Sequence, residues 1–446
     1  MKKILALFAL LLVLCSLAYC EDITPTKVGS SRVELELNWS ISVGSGFKEL
    51  NFTTALPANT SYQRVVEVKS SHPYSVIESN GNKLMLFNFK NVKEDIEISV
   101  KFVMDINYQN EKLAAKQSYP FAVSGAENAY LKDTNLTSAN EEMKKEAVGA
   151  RGETDDVMEV VVRLNSWVNS YLTYNLSYEP LRESAQSTFE KREGVCDEYS
   201  YLFIAMAKSL GIPSRFIVGY VHSGNEWGPH AWVEVYFPNY GWLPADPTFN
   251  SVFTLDATHI RMAHGMDQEE IKDEVHAVGE REATVDITKK YFIRALSTSD
   301  FEKKLDVTIS SPVSNSSTQK IVARVENPTS SFVVYPLRIT IPDSLECENK
   351  SRLVYVAPYS EKEVVWEARL PELEKNMLYT FPIVVRTYGE EVEGSFNRST
   401  AEKQQANQLE NMQTPKNADS RGCALGLVIP LVFLGALYLK RSRDSF

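Results

Sequence analysis

In the stretch GVCDEYSYL, residues 194–202, a cysteine stands between a glycine-led turn and the predicted first turn of a helix. The helical spacing continues through CDEYSYLFIAMAKSLG and stops at Gly211-Ile212-Pro213. A cysteine at a helix start faces backbone N–H groups that have no partner within the helix, as well as the positive end of the helix dipole, and both favour a thiolate. Cys196 is therefore a candidate nucleophile.

The other cysteines do not suggest a disulfide framework. Cys15 and Cys20 lie in an N-terminal apolar segment, and Cys423 lies at the edge of a C-terminal one. Cys347 falls in a different predicted domain, so a bridge to Cys196 would have to cross domains. Small exported domains that depend on disulfides carry many more paired cysteines than this. Cys196 is therefore predicted to be a free thiol.

Two further side chains complete a candidate catalytic set. His230 opens the predicted strand HAWVEVYF, and the turn PNYG reverses the chain into WLPADPT, which returns Asp246 to the start of that strand. A cysteine nucleophile needs a base that takes its proton and a group that orients the base. Asp197 and Glu198 would raise the thiol pKa, but we expect pairing with an imidazolium to outweigh them.

The order and flanks of these residues resemble the transglutaminase-like superfamily, a branch of the papain-like thiol enzymes. The resemblance covers the middle of the chain and is carried by these segments: Gly194-Val195-Cys196, Gly211-Ile212-Pro213-Ser214-Arg215, Gly219-Tyr220, His230-Ala231-Trp232, Gly241-Trp242 and Asp246-Pro247-Thr248. It implies that Cys196 is the nucleophile, His230 the base and Asp246 the residue that orients the base. The segment DATHI, residues 256–260, resembles the family's C-terminal extension, and its His259 is expected to be structural.

The resemblance also implies an oxyanion stabiliser upstream of the cysteine. Tyr171, Tyr174 and the backbone N–H of Cys196 are all candidates for that role. Trp227 and Trp232 are candidates for lining the substrate cleft. The sequence shows no spacing typical of metal ligands, so we expect neither a metal nor a cofactor.

Strand-like sequence flanks this region on both sides. In RVELELNWSISV, residues 32–43, apolar and polar residues alternate strictly, and Asn80-Gly81 between two apolar runs predicts a hairpin turn. A third region holds about seven strand-like segments separated by turn residues, which is typical of an immunoglobulin-like sandwich. The predicted fold class is α+β: a papain-like, transglutaminase-like core flanked by two β-sandwich domains, with one C-terminal transmembrane helix.

The two ends of the chain read as export and anchoring segments. Lys2 and Lys3 precede a short apolar run with small residues before Glu21, as in a signal peptide. The uncharged span near the C-terminus is followed at once by KRSR and is long enough to cross a bilayer with its basic end inside. The predicted segments are a signal peptide (1–20), an N-terminal β-sandwich (21–125), a transglutaminase-like domain (126–290), an Ig-like β-sandwich (291–399), a stalk (400–421), a transmembrane helix (422–439) and a cytoplasmic tail (440–446).

The net charge of the chain and its glycosylation sequons limit the kinds of binding partner that we expect. The chain has 47 Lys and Arg against 58 Asp and Glu, a net charge of -11, which argues against binding to nucleic acid. N-x-S/T triplets, which accept glycans in exported proteins, occur at Asn38, Asn51, Asn59, Asn135, Asn175, Asn315, Asn349 and Asn397. We expect a single-pass glycoprotein of the cell membrane with its ectodomain outside, acting on extracellular proteins or peptides.

Two classes of function fit these expectations. The first is a thiol enzyme that attacks amide bonds of proteins or peptides and forms a thioester, which an amine resolves in a cross-linking transferase and water resolves in a cysteine peptidase or amidase. The second is a non-catalytic binding or structural module of the cell surface, built on a transglutaminase-like scaffold. The residues themselves leave transfer and hydrolysis open.

Overall fold

The computed structural model describes residues 28–400, apart from residues 45, 111, 179–181, 225, 280–283, 301–305, 311–316 and 388–389. The predicted signal peptide, transmembrane helix and cytoplasmic tail lie outside the described residues, and so does the predicted stalk beyond its first residue. Within the described ranges, no helix combines the length and the apolar character that crossing a bilayer requires.

The described residues form 25 strands and four α-helices. Up to the end of the last helix the elements are β1 Val28–Val43, β2 Phe47–Ala55, β3 Gln63–Ser70, β4 Ser75–Ser79, β5 Asn82–Val92, β6 Ile96–Asn107, β7 Gln109–Asn110, α1 Glu141–Arg151, α2 Val157–Tyr171, β8 Thr173–Tyr174, α3 Ala185–Lys191, β9 Glu193–Gly194 and α4 Cys196–Ser209. The remaining strands are β10 Ser214–Ser223, β11 Glu226–Phe237, β12 Gly241–Asp246, β13 Ser251–Val252, β14 Thr254–Leu255, β15 Ile260–Gly265, β16 Glu274–Gly279, β17 Val285–Asp300, β18 Asp306–Ser310, β19 Thr318–Asn327, β20 Val333–Thr340, β21 Glu346–Cys347, β22 Ser351–Val356, β23 Ser360–Arg369, β24 Leu378–Thr387 and β25 Glu390–Ser399.

The predicted strand pattern of the N-terminal region is confirmed. In β1 five of the apolar residues that alternate with polar ones are fully buried: Val33, Leu35, Leu37, Trp39 and Ile41. The hairpin between β4 and β5 closes through Asn80 and Gly81, whose φ angles are 49° and 76°. Both residues lie in the left-handed region, as a tight two-residue hairpin turn requires.

Two four-stranded sheets form the N-terminal sandwich, with strand orders β17-β1-β6-β3 and β16-β2-β5-β4. One edge strand of each sheet, β17 or β16, comes from the part of the chain that follows β15, and β16 lies inside the predicted segment 126–290. Because β17 pairs with β1 along nearly its whole length, it belongs to this sandwich. The predicted boundary between residues 290 and 291 therefore falls inside one strand, since long-range pairing rather than position in the chain assigns β17 to its sheet.

The middle region packs its helices on a five-stranded sheet of order β13-β12-β11-β10-β15. Helix α4 is its centre, because 12 of its 14 residues are buried. A helix that is buried on all sides needs partners on all sides, and α4 contacts α1, α2 and α3 as well as strands β10 and β11. This burial fixes the first residue of α4, Cys196, against the sheet.

The C-terminal region is a second sandwich, with sheets β18-β19-β23-β21 and β22-β20-β24-β25. Its described residues form eight strands, one more than the sequence suggests, because the two-residue strand β21 adds to one sheet. The core includes Trp366, which is 1% exposed. A hydrogen bond from the Tyr355 hydroxyl to Asp156 Oδ2, 2.9 Å long, joins this sandwich to the start of α2.

Candidate active site

A buried carboxylate holds the segment that presents Cys196. Oε2 of Glu198 accepts a hydrogen bond from the backbone N–H of Val195, and Oε1 accepts one from Glu183, both at 3.0 Å. Gly194 lies so close to this side chain that a Cβ atom there would stand 2.4 Å from Cβ of Glu198. Glycine is therefore required before the cysteine, and the start of α4 is tied down from inside the first helical turn.

The thiol of Cys196 is largely buried. The side chain is 9% exposed, and the backbone N–H of Ala231 on strand β11 donates a hydrogen bond to it. Burial raises the pKa of the thiol well above its ordinary value, and the nearby carboxylate of Asp197 raises it further. The expectation that pairing with an imidazolium lowers the thiol pKa is wrong for the resting structure, because burial of the sulfur raises that pKa.

His230 and Asp246 meet as the sequence predicts. Strands β11 and β12 pair antiparallel, and Nε2 of His230 lies 2.7 Å from Oδ2 of Asp246. The other carboxylate oxygen, Oδ1, accepts hydrogen bonds of 2.9 Å from the backbone N–H groups of Thr248 and Phe249. Burial would raise the pKa of Asp246, but its interactions with His230 and His259 hold it well below the usual range. The carboxylate is thus ionised and fixed in orientation.

Cys196 and His230 share one cavity, the main cleft, of about 720 Å³. Because Nε2 of His230 faces Asp246, Nδ1 is the ring nitrogen left to take up a proton in this cleft. The walls come from two parts of the molecule, since Asn82 and Lys289 of the N-terminal sandwich line the cleft as well. The arrangement can therefore bind an extended substrate beside a thiol and its base.

A second cavity, of about 500 Å³, reaches His230 from another side. It is lined by Trp227 and by the aromatic rings of Phe249 and Tyr291. The ring of Trp227 also makes an edge contact with His222, at 5.4 Å between centroids. The structure thus places Trp227, a predicted cleft residue, in this aromatic cavity rather than in the main cleft.

Trp232, the other predicted cleft residue, packs against the ring of His230 in the protein interior. Its side chain is fully buried, and its ring lies 5.9 Å from that of His230 with an interplanar angle of 23°. The packing depends on Gly219 of strand β10, where a Cβ atom would stand 1.9 Å from the carbonyl oxygen of Ile260 and 2.8 Å from the Trp232 ring. Trp232 therefore does not line the cleft but positions the base.

We expect Gly219→Ala to destabilise the fold by about 3 kcal/mol or more, because the added methyl group overlaps backbone that cannot move away freely. Gly228→Ala, on the neighbouring strand, is the matched control, since a Cβ atom there meets nothing within 4 Å. Its expected effect stays within about 0.5 kcal/mol. Denaturant unfolding of both variants measures the difference, and equal stabilities would contradict the close approach at Gly219.

The two tyrosines proposed as oxyanion stabilisers lie in different places. The Tyr171 hydroxyl donates to the carbonyl oxygen of Phe189 at 2.9 Å and accepts from Arg192 at 3.2 Å. Tyr174 lines the main cleft together with Cys196. It is held there by the short pairing of β8 with β9, which sets Tyr174 beside Gly194. Of the two, only Tyr174 therefore lines the same cleft as Cys196.

His259, which the sequence analysis expects to be structural, follows strand β14 and lies beside Asp246. Its Nε2 lies 3.4 Å from the Asp246 oxygen that His230 contacts, and its Nδ1 lies 2.9 Å from Oδ1 of Asp256. The side chain is 2% exposed. The sequence feature that could have indicated this contact is the spacing Asp-x-x-His in DATHI, residues 256–260. It places the carboxylate of Asp256 within reach of the His259 ring.

Three of these side chains also have the composition of a metal site. His230, Asp246 and His259 each offer one ligand atom within 4.8 Å of the others. However, both rings already face the same carboxylate oxygen at 2.7 and 3.4 Å. His230 and Asp246 are thus hydrogen-bonded to each other, and His259 lies at ion-pair distance from the same oxygen, which fits an ionic group better than a coordination shell.

The sequence of this region matches known proteins. Residues 144–247 match the model of the transglutaminase-like superfamily. A protein-glutamine gamma-glutamyltransferase of Pseudomonas aeruginosa is 36% identical over 73 residues, which is 14% of this chain and 11% of that enzyme. An uncharacterized protein of Bacillus subtilis is 34% identical over 110 residues, 21% of this chain and 15% of that protein. The chain thus spans only a small part of either relative.

Solved structures show weaker likeness. A candidate cysteine protease from Cytophaga hutchinsonii has 18% identity and a TM-score of 0.48, covering 62% of this chain and 94% of its own. Red sea bream transglutaminase has 12% identity and a TM-score of 0.21, covering 79% of this chain and 78% of its own. The family assignment therefore rests on the sequence match of residues 144–247.

Proposed function

Because residues 144–247 form a transglutaminase-like domain, we propose that the protein is a thiol enzyme acting on amide bonds of proteins or peptides outside the cell. The observation that carries the proposal is the meeting of a helix-start cysteine and a carboxylate-bound histidine in one cleft, at Cys196, His230 and Asp246. This set supplies a nucleophile, a base and the group that orients the base.

The proposed reaction begins with proton transfer from the thiol to Nδ1 of His230. The sulfur of Cys196 attacks the amide carbonyl carbon, so that a carbon–sulfur bond forms. The carbon–nitrogen bond then breaks, and the imidazolium returns its proton to the departing amine. The product is a thioester, which water or a second amine attacks to restore the thiol.

A raised thiol pKa makes the base essential in this scheme. Because burial holds the proton on Cys196 at rest, attack requires a base that accepts this proton, and His230 is the acceptor within the same cleft. Asp246, with its two oxygens held by His230 and by backbone N–H groups, stabilises the cation that forms. We propose that Tyr174 and the backbone N–H of Cys196 stabilise the oxyanion.

The choice between transfer and hydrolysis depends on how water is excluded from the thioester. The Pseudomonas relative is named as a glutamyl transferase, and the match covers 11% of that enzyme. The proposal therefore covers both transfer and hydrolysis. It assigns Cys196, His230 and Asp246 to the step that the two reactions share, which is acylation of Cys196.

A non-catalytic surface module is the second candidate. The observation that favours it is the burial of the thiol, which is 9% exposed and has a raised pKa. A scaffold of this kind would keep the domain and its cleft for binding while the cysteine stays unreactive.

Labelling with a thiol-directed acylating probe separates the two candidates. In the proposed enzyme Cys196 is acylated, Cys196→Ala abolishes that labelling, and Cys347→Ala leaves it unchanged. Cys347 is the matched control because it is also free, and burial raises its pKa as well. Mass spectrometry of labelled peptides identifies the site. Labelling of the wild type at Cys347 but not at Cys196 would contradict the enzymatic function.

The same experiment tests the location. Intact cells treated with a membrane-impermeant form of the probe should be labelled at Cys196 if the domain faces outward, as the apolar segments and sequons of the sequence suggest. If labelling at Cys196 requires that the cells first be opened, the domain faces the cytoplasm and the proposed location is wrong.

A further inference from the structure

His259 stands between two carboxylates. Nδ1 faces Oδ1 of Asp256 at 2.9 Å, and Nε2 faces Oδ2 of Asp246 at 3.4 Å, which is the length of an ion pair rather than of a short hydrogen bond. No hydrogen bond joins Nε2 to this oxygen, but an imidazolium is attracted to both carboxylates at these distances, whereas a neutral ring is not. The geometry therefore favours the cation.

The surroundings of the ring agree with a fixed charge. The titratable groups that face it are Asp256 of its own loop, Asp246 of strand β12 and His230 of strand β11. The remaining neighbours are the rings of Trp232 and Phe249, at 5.5 and 5.6 Å between centroids. Burial would lower the pKa of His259, but the charges of Asp256 and Asp246 raise it to about 9.

We infer that His259 is a positioning residue, a standing cation anchored by Asp256 that keeps the Asp246 carboxylate ionised and oriented toward His230. The inference rests on the proposed function, because it assigns a task to a residue that does not itself touch the reacting atoms. Asp246 is fully buried, and a buried carboxylate that faces only one neutral imidazole would be costly to ionise. A charged His259 as second partner lowers the free energy of ionising Asp246 before the substrate binds.

This arrangement also explains why Asp246 keeps its place when His230 gives up its proton. During the proposed reaction His230 alternates between neutral and cationic forms, so its electrostatic attraction to Oδ2 of Asp246 changes. His259 and the backbone N–H groups of Thr248 and Phe249 do not change, and together they contact both carboxylate oxygens. The orienting group thus remains fixed through the cycle.

The test is the pH dependence of Cys196 acylation in His259→Gln. Removing a positive charge near the site makes neighbouring protons harder to remove, so the acid limb of the profile should move to higher pH by on the order of one unit. His264→Gln is the matched control, because His264 is also buried but contacts Arg261 instead of Asp246. Its pKa, lowered to about 3 by burial and by Arg215 and Arg261, keeps it neutral at working pH, so its replacement should leave the limb in place.

A second measurement does not depend on activity. In ¹⁵N spectra of the full chain, both ring nitrogens of His259 should carry protons at neutral pH, in the wild type and in Cys196→Ala alike. If the wild type shows no acylation but His259 is cationic, the proposed enzyme activity fails and the charge state stands. If His259 is a neutral tautomer, the inference is overturned even in an active enzyme.

Two further outcomes decide the inference. A folded His259→Gln protein whose acid limb coincides with that of the wild type would assign His259 a purely structural role and overturn the proposal. If His259→Gln does not fold, Asp256→Asn serves instead, because it keeps the ring and removes the anchoring charge. In that variant the ring should lose a proton at a lower pH than in the wild type, and an unchanged titration would again contradict the inference.

Discussion

Replacing His230 with alanine is expected to lower the rate of single-turnover acylation of Cys196 by about 10²- to 10⁴-fold. Burial holds the proton on the thiol at rest, so attack requires a base, and His230 is the base that shares the main cleft with the sulfur. Stopped-flow or quenched-flow labelling with a chromogenic acyl donor measures the rate. Added imidazole should restore part of it, because the vacated space admits a small base.

The control for this variant is His276→Ala. The side chain of His276 is 78% exposed on strand β16, so its removal tests for general effects of losing a histidine and should leave the rate close to that of the wild type. A rate for His230→Ala within a few-fold of the wild type would mean that another group takes the thiol proton and that the base is wrongly assigned.

Asp246→Asn is expected to lower the acylation rate by about 10³- to 10⁴-fold, although the side chain barely changes in size. Oδ1 of Asp246 accepts two backbone N–H groups, so the amide oxygen of asparagine must take that position. The amide NH₂ then occupies the place of Oδ2 and donates to Nε2 of His230. This moves the ring proton to Nδ1, where it blocks uptake of the proton from Cys196.

The ring tautomer distinguishes this cause from simple loss of folding. In ¹⁵N spectra His230 should carry its proton on Nε2 in the wild type and on Nδ1 in Asp246→Asn. Asp267→Asn is the matched control, because Asp267 is also buried and its carboxylate accepts a backbone N–H, from Glu269. If Asp246→Asn is folded and retains a rate close to that of the wild type, the carboxylate does not control the tautomer.

The approach of His230 to Asp246 could be predicted because the two residues lie close together in the sequence. His230 and Asp246 are 16 residues apart on two strands joined by a tight turn, so strand alternation and the antiparallel return place them together. Cys196 could be recognised in the sequence because it follows a glycine-led turn and begins a long apolar helix. Its packing against strand β11 then follows from the need of that helix to be buried on all sides.

Trp232 and the Cys196 thiol show what the local pattern could not provide. The sequence makes Trp232 a candidate for lining the cleft, but only its packing against Gly219 shows that the ring is fully buried. Likewise, the helix start and the nearby histidine predicted a lowered thiol pKa. The pKa is raised instead, because burial of the sulfur depends on everything packed around it.

Periodicity, turn residues and the order of short motifs thus sufficed to predict the strand-rich flanks, the transglutaminase-like superfamily, the helix that begins at Cys196 and the approach of His230 to Asp246. These features depend on interactions between residues close in sequence, which each segment carries with it. Only the tertiary structure decided that β17 completes a sheet with β1, that the N-terminal sandwich lines the main cleft and that His259 shares the carboxylate of Asp246. These contacts join segments far apart in the chain or in different strands, and their free energy comes from burial and pairing that exist only once the whole core has formed.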